Sequence, residues 1–213
     1  MQKENFIEES DSAMDRLKAC NPEYCFLGIT ADGKKNHTIP APWDSTVACM
    51  NMKLPDVFLS PEDIREPEIF EMLKQIQVRS VFIFVPLDEY TFLADFPALC
   101  QLYIFFGKNL KDLSFLEGRD SLYQLYIEDA DLEDIRALGR LKNPGLQGLC
   151  FGLYNASVKD LSPLLEYDGH YSEIQFCKMR HVTDEMKSLM KKLPVGRYCT
   201  LQEADDSVEI KIR

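Results

Sequence analysis

Apolar residues along the middle of the chain recur in a three-part rhythm. Around each pivot an apolar residue stands three positions before and another two after: Val78, Val81, Ile83; Leu99, Leu102, Ile104; Leu122, Leu125, Ile127; Leu146, Leu149, Phe151; and Tyr171, Ile174, Phe176. Successive pivots lie 21, 23, 24 and 25 residues apart. A fixed spacing of that length marks one supersecondary unit used repeatedly. Because residues i and i+2 of a strand share a face, each triplet predicts a short strand with the pivot turned inward. The pattern then changes within the unit. In LYQLYIEDADLEDIRALGRLKN, residues 122 to 143, strand alternation gives way to Leu132, Ile135, Leu138 and Leu141 at helical spacing. The second halves also match one another: LKDLSFL (110 to 116), LEDIRAL (132 to 138), VKDLSPL (158 to 164) and VTDEMKSL (182 to 189). Asp112, Asp134, Asp160 and Asp184 recur in register, where a carboxylate can accept the free amides opening a short helix. A residue that returns once per unit is structural rather than catalytic.

The pattern LxxLxI followed by LxDIxxLxxL resembles the leucine-rich repeats of the internalin type, of the 22-residue class, over roughly residues 78 to 193. The resemblance implies an α/β solenoid with parallel strands on its concave face and short helices or 3-10 turns on its convex face. The family places Asn five residues after the pivot. This chain has Pro86, Gly107, Ala130, Tyr154 and Met179 there, so irregular turns are expected.

Three segments follow from this reading: an N-terminal cap over 1–54, the repeats over 55–193 and a closing element over 194–213. In the cap, residues 2 to 19 suit an amphipathic helix carrying Phe6, Ala13, Met14 and Leu17, and YCFLGITADGKKNHTIP reads as a hairpin turning at Asp32-Gly33. Trp43 reads as an anchor buried against the repeats. Pro55, Phe58 and Ser60 fit an early, atypical repeat. Ser60, Pro61 and Asp63 then form a helix start of the capping-box kind, before Ile69, Phe70, Leu73 and Ile76 at helical spacing. Tyr198, Thr200 and VEIKIR read as the strand-like closing element.

If the pivots face a core, their neighbours face a groove. Those columns contain Phe82, Phe84, Gln101, Tyr103, Phe105, Gln124, Tyr126 and Glu128, whose five aromatic rings are expected to form one apolar patch. The expected function is a non-catalytic module that binds a protein or peptide through its concave face. The alternative is a structural protein that uses the patch as a homodimer interface.

Composition narrows the remaining classes. With 46% hydrophobic residues in 213, the chain can bury a sizeable core. A net charge of -11 disfavours nucleic acid and anionic lipid as partners. The acidity is concentrated over residues 55 to 97, with nine Asp/Glu against three Lys/Arg, which reads as a solvated flank. Seven irregularly spaced cysteines and no secretory or membrane-spanning run suit a cytoplasmic protein with reduced thiols. His37, His170 and His181 are scattered, and no nucleotide or hydrolase motif occurs. Cys20 and Cys25 with Cys49 lack the fourth ligand of a zinc site. A Cys177–His181 nucleophile pair needs a strand and the next turn to converge, and the EDAD run at 128 to 131, a carboxylate cluster with the charge for a cation but without the alternating ligands and glycine of a calcium loop, reads as a solvated turn. No cofactor and no enzymatic activity are expected.

Overall fold

The computed structural model describes residues 12–35, 55–142, 148–204 and 210–211. The chain divides into two compact units, residues 1–85 and 86–213. In the first unit, helix α1 (Ala13–Ala19) starts at Ser12, whose Oγ accepts the Asp15 amide at 3.2 Å, and it buries Ala13 and Leu17. Strand β1 (Cys25–Ile29) is buried at all five positions. Strand β2 (Val57–Leu59) leads into helix α2 (Pro61–Arg65), where the expected capping box is present. The Asp63 amide donates to Ser60 Oγ at 3.1 Å, and the Ser60 amide donates to Asp63 Oδ2 at 2.8 Å. Pro67 opens helix α3 (Pro67–Gln75), which turns Ile69 and Leu73 inward, and strand β3 (Val78–Ile83) follows.

Strand β1 pairs in parallel with both β2 and β3: Leu27 lies opposite Val57 on one side and Val81 on the other. The order is therefore β2-β1-β3. The chain must cross from β2 past β1 to reach β3, and α2 and α3 supply the length that a parallel crossover needs. This pairing also corrects the hairpin expectation. A turn does form at Gly33, with φ of 69°, and the Lys34 amide bonds Asp32 Oδ1 at 3.0 Å. Both edges of β1 are nevertheless taken by parallel neighbours, so no antiparallel arm can pair with it. Of the expected cap, Phe6, Trp43 and most of the hairpin's second arm lie outside the described residues.

In the second unit a 3-10 turn at Thr91–Asp95 precedes strand β4 (Gln101–Ile104), and another at Ser114–Leu116 precedes strand β5 (Gln124–Glu128). Strand β6 (Asp131–Leu132), helix α4 (Arg136–Gly139), strand β7 (Leu149–Tyr154) and strand β8 (Ser157–Val158) come next. A third 3-10 turn (Ser162–Leu165), strand β9 (Tyr171–Met179), helix α5 (Asp184–Met190), strand β10 (Val195–Glu203) and strand β11 (Ile210–Lys211) complete the unit. Strands β4, β5, β7, β9 and β10 pair in parallel, β11 lies antiparallel on β10, and β6 and β8 leave this sheet to pair with each other. Three of the recurring aspartates accept an amide at a helix start as expected, each standing one residue before the cap. Asp112, Asp134 and Asp160 accept the amides of Ser114, Arg136 and Ser162 at 2.9, 2.8 and 2.7 Å. Beside Asp184, however, Thr183 is the cap, its Oγ1 accepting the Met186 amide at 3.1 Å.

The solenoid expectation is corrected by strand order and burial. A leucine-rich-repeat horseshoe sets each strand beside its predecessor, whereas β1 here separates β2 from β3. A parallel sheet with interspersed helices and a 2-1-3 order fits a Rossmann- or flavodoxin-like α/β arrangement, in which the order reverses at a switch point. Among the described residues an internalin-like concave surface is absent as well. Of the side chains assigned to it, Phe82, Tyr103, Phe105 and Gln124 are buried, with Tyr103 fully so. The reason is physical: strands of a parallel sheet covered on both faces carry apolar residues on both. Spacing and alternation cannot distinguish that case from a one-sided groove.

Candidate functional site: the carboxyl-terminal rim of strands β5, β7 and β9

Side chains at the ends of three neighbouring parallel strands converge in the second unit. Register places Glu128 of β5 beside Tyr154 of β7, and Tyr154 beside Cys177 of β9. The residue following each, Asp129, Asn155 and Lys178, has a left-handed backbone with φ of 56°, 47° and 51°. Asp and Asn tolerate that conformation because their short side chains can bond locally, whereas Lys is strained by roughly 1 kcal/mol. The turns lock onto one another in sequence. The Asp129 amide donates to the Tyr154 carbonyl at 3.1 Å, and the Asn155 amide to the Cys177 carbonyl at 3.0 Å. Asn155 Nδ2 also donates to the Asp129 carboxylate.

A second layer fixes the loop that leaves the rim. Arg180 donates from one guanidinium nitrogen to the Ala130 carbonyl at 2.6 Å and to Asp131 Oδ1 at 2.9 Å, and Ser157 Oγ donates to the same carboxylate. The short β6–β8 pairing of Asp131 with Ser157 and Leu132 with Val158 carries this tie onward. The backbone on both sides of Glu128 and Asp129 is thus held.

Glu128 is the group whose chemistry this setting changes. Half-buried at the end of β5, its carboxyl is pushed up to about 7, chiefly because burial removes water from the charged form and further because Asp129 is negative beside it. Two contacts oppose the rise: the positive charge of Lys178 and a hydrogen bond from the Tyr126 hydroxyl. Burial also raises Tyr126 well above its ordinary range, so it stays a neutral donor. Its ring lies 6.0 Å from that of Phe105, and a Cβ placed on Gly152 would come within 2.9 Å of it, so glycine gives the ring its room. The Lys178 ammonium sits 4.9 Å from the Tyr154 ring centre, an ammonium held on an aromatic face beside the carboxyl.

The residues expected to form a docking face are placed differently. Gln101 Nε2 donates to Gln124 Oε1 at 2.8 Å across β4 and β5, and Tyr103 stands beside Tyr126 in register. Phe82 and Phe84, in the first unit, stack at 6.3 Å. Phe84, Gln101, Tyr126 and Glu128 are half-buried. With Phe82, Tyr103 and Phe105 buried, these columns form no exposed aromatic patch among the described residues, which corrects both the partner-binding and the homodimer expectation. The EDAD run is not simply solvated either, since it contains Glu128. Sequence reasoning singled out Asp129 only as part of the EDAD run and missed Asn155 and Lys178 of the rim's polar set. The available signal was Tyr126 two residues before Glu128, hence on the same strand face.

Among the described residues, no group of three His, Cys, Asp or Glu side chains could hold a metal ion, and no helix is long and apolar enough to cross a membrane. Comparison with family models, with curated proteins and with solved structures finds no match to this chain.

Proposed function

We propose that the second unit is a non-catalytic binding module that holds an organic cation, an amine or a guanidinium, at the carboxyl-terminal rim of its parallel sheet. The observation that carries this reading is the half-buried Glu128 carboxyl beside the Asp129 carboxylate at the end of β5. An arriving cation favours the ionised form of Glu128 that burial otherwise disfavours, so binding releases a proton near neutral pH and tightens as pH rises through that range. Tyr154, already carrying the Lys178 ammonium, supplies a precedent for the kind of contact a cation makes here. By fold analogy, open α/β sheets take their ligands beyond the carboxyl ends of the strands. The cytoplasmic setting read from the cysteines belongs to the same proposal.

Titration calorimetry with putrescine and with agmatine, in buffers of different ionisation enthalpy, tests it. We expect millimolar or tighter binding, a measured heat that varies with the buffer because a proton is released, and at least a tenfold loss in Glu128→Gln. Absence of binding by either compound to the folded protein, or binding unaffected in Glu128→Gln, rejects the reading. Turnover of either compound would instead make Glu128 a general acid or base, a role its position near neutrality also suits.

A further inference from the structure

In the first unit a pair of thiols lies apart from the rim. Cys20 ends α1, its amide donating to the Leu17 carbonyl at 3.2 Å, and Cys25 opens β1. The side chains of the two cysteines are hydrogen-bonded to each other. Cys20 is partly exposed and Cys25 is fully buried. The four residues between them form a tied turn. The Tyr24 amide bonds the Asn21 carbonyl at 3.2 Å, and the Glu23 amide bonds Asn21 Oδ1 at 3.0 Å. Both ends of the turn are also fastened to the residue before β3: the Gln77 amide donates to the Pro22 carbonyl at 2.8 Å and the Cys25 amide to the Gln77 carbonyl at 3.0 Å. The two thiols are thus joined by a hydrogen bond across a tied turn, one on the partly exposed Cys20 and the other on the buried Cys25.

We propose that Cys20 and Cys25 are a peroxide-sensitive dithiol, Cys20 the attacking thiol and Cys25 the resolving one, which closes to an intrachain disulfide. The chemistry balances with hydrogen peroxide as the oxidant. The Cys20 sulfur attacks one peroxide oxygen, the O–O bond breaks, and a sulfenic acid and one water result. The Cys25 sulfur then attacks the Cys20 sulfur, an S–S bond forms as the S–O bond breaks, and the hydroxyl leaves with the Cys25 proton as a second water. Two thiols are oxidised by one peroxide. The contact from Cys25 also favours the first step: chiefly through that hydrogen bond, and against opposing effects of burial and of Asp56, the Cys20 thiol is held below its ordinary range. The reduced state expected of a cytoplasmic protein is the resting state of this pair.

The test is peptide mapping by mass spectrometry of the full, folded chain after treatment with one equivalent of hydrogen peroxide. The expected product is a Cys20–Cys25 link, lighter by two hydrogens and reversed by dithiothreitol. In Cys25→Ser the link is lost and Cys20 accumulates as sulfenic and sulfinic acid; in Cys20→Ser the remaining thiol of the pair stays unmodified. Since Cys25 is buried, Cys25→Ala serves as a second resolving-thiol variant, and circular dichroism checks that each variant is folded. Three results overturn the proposal: Cys20 overoxidised in the wild type without a link, either cysteine linked preferentially to another of the seven, or a link that forms only in denaturant.

Discussion

Glu128 couples its local environment to the stability of its unit. In the unfolded chain a glutamate ionises near 4.5, whereas burial and Asp129 push this one up to about 7 when folded. The folded state therefore binds more protons than the unfolded state between those values. Its favourable contribution is fully present below the unfolded value and is lost as pH rises through about 7. Replacing the carboxyl by an amide of the same shape removes the penalty for the charge. Glu128→Gln is expected to be more stable than the wild type at pH 8, on the order of 1 kcal/mol given that one pKa unit corresponds to about 1.4 kcal/mol, with little difference at pH 4.5. Urea midpoints at the two pH values measure this. A variant less stable at pH 8 would mean that the ionised carboxylate is well paired. Sequence pattern placed Glu128 at the edge of a strand row. Its burial was not legible, because alternation says which face a residue is on and not what lies over that face.

At the scale of elements, the starts of helices were the most legible features, since a cap acts over three or four neighbouring residues. Ser60, Pro61 and Asp63 announce α2, and the structure places each hydrogen bond of the box. The same site does wider duty: the Arg16 guanidinium reaches Asp63 Oδ2 at 3.6 Å and donates through Nε to the Phe58 carbonyl at 3.1 Å, joining α1 to the middle of β2 and to α2. Ser60→Ala removes one side of the box and is expected to cost about 1 kcal/mol, read as a lower urea midpoint with unchanged slope. The neighbour order of the strands was far less legible. Leu27, Val57 and Val81 are all apolar residues in short apolar runs, and nothing in those runs says that β1 lies between the other two.

Across the second unit, one buried cation joins elements that are distant in sequence. Arg119, about nine-tenths buried, donates to the Phe115 carbonyl at 3.4 Å and to the carbonyls of Phe96 and Leu93. It thereby fastens the turn at Thr91–Asp95 to the turn at Ser114–Leu116. Burial lowers its basicity, and the carbonyls are its compensation. Arg119→Ala removes three donated hydrogen bonds and opens space, while the Leu93 and Phe96 carbonyls keep the amides of Phe96 and Leu99, and a loss of about 2 kcal/mol is expected. Arg119→Met keeps most of the volume, so a smaller loss there in the same denaturation assay separates packing from hydrogen bonding. In the polar run EGRDS, residues 117 to 121, Arg119 reads as one more solvated charge, and its burial had no distinguishing mark because its partners are main-chain oxygens that any residue supplies.

The parallel pairing also sets how the chain must arrive at this arrangement. Leu102 meets Leu125, and Phe151 meets Ile174, each across 23 residues of chain. No tight turn can bring such partners together. Every added strand must first close a long loop, losing chain entropy before its contacts repay it. Such a sheet assembles slowly for its size. Until each next strand docks, the growing edge displays unpaired amides and carbonyls to any other nascent chain.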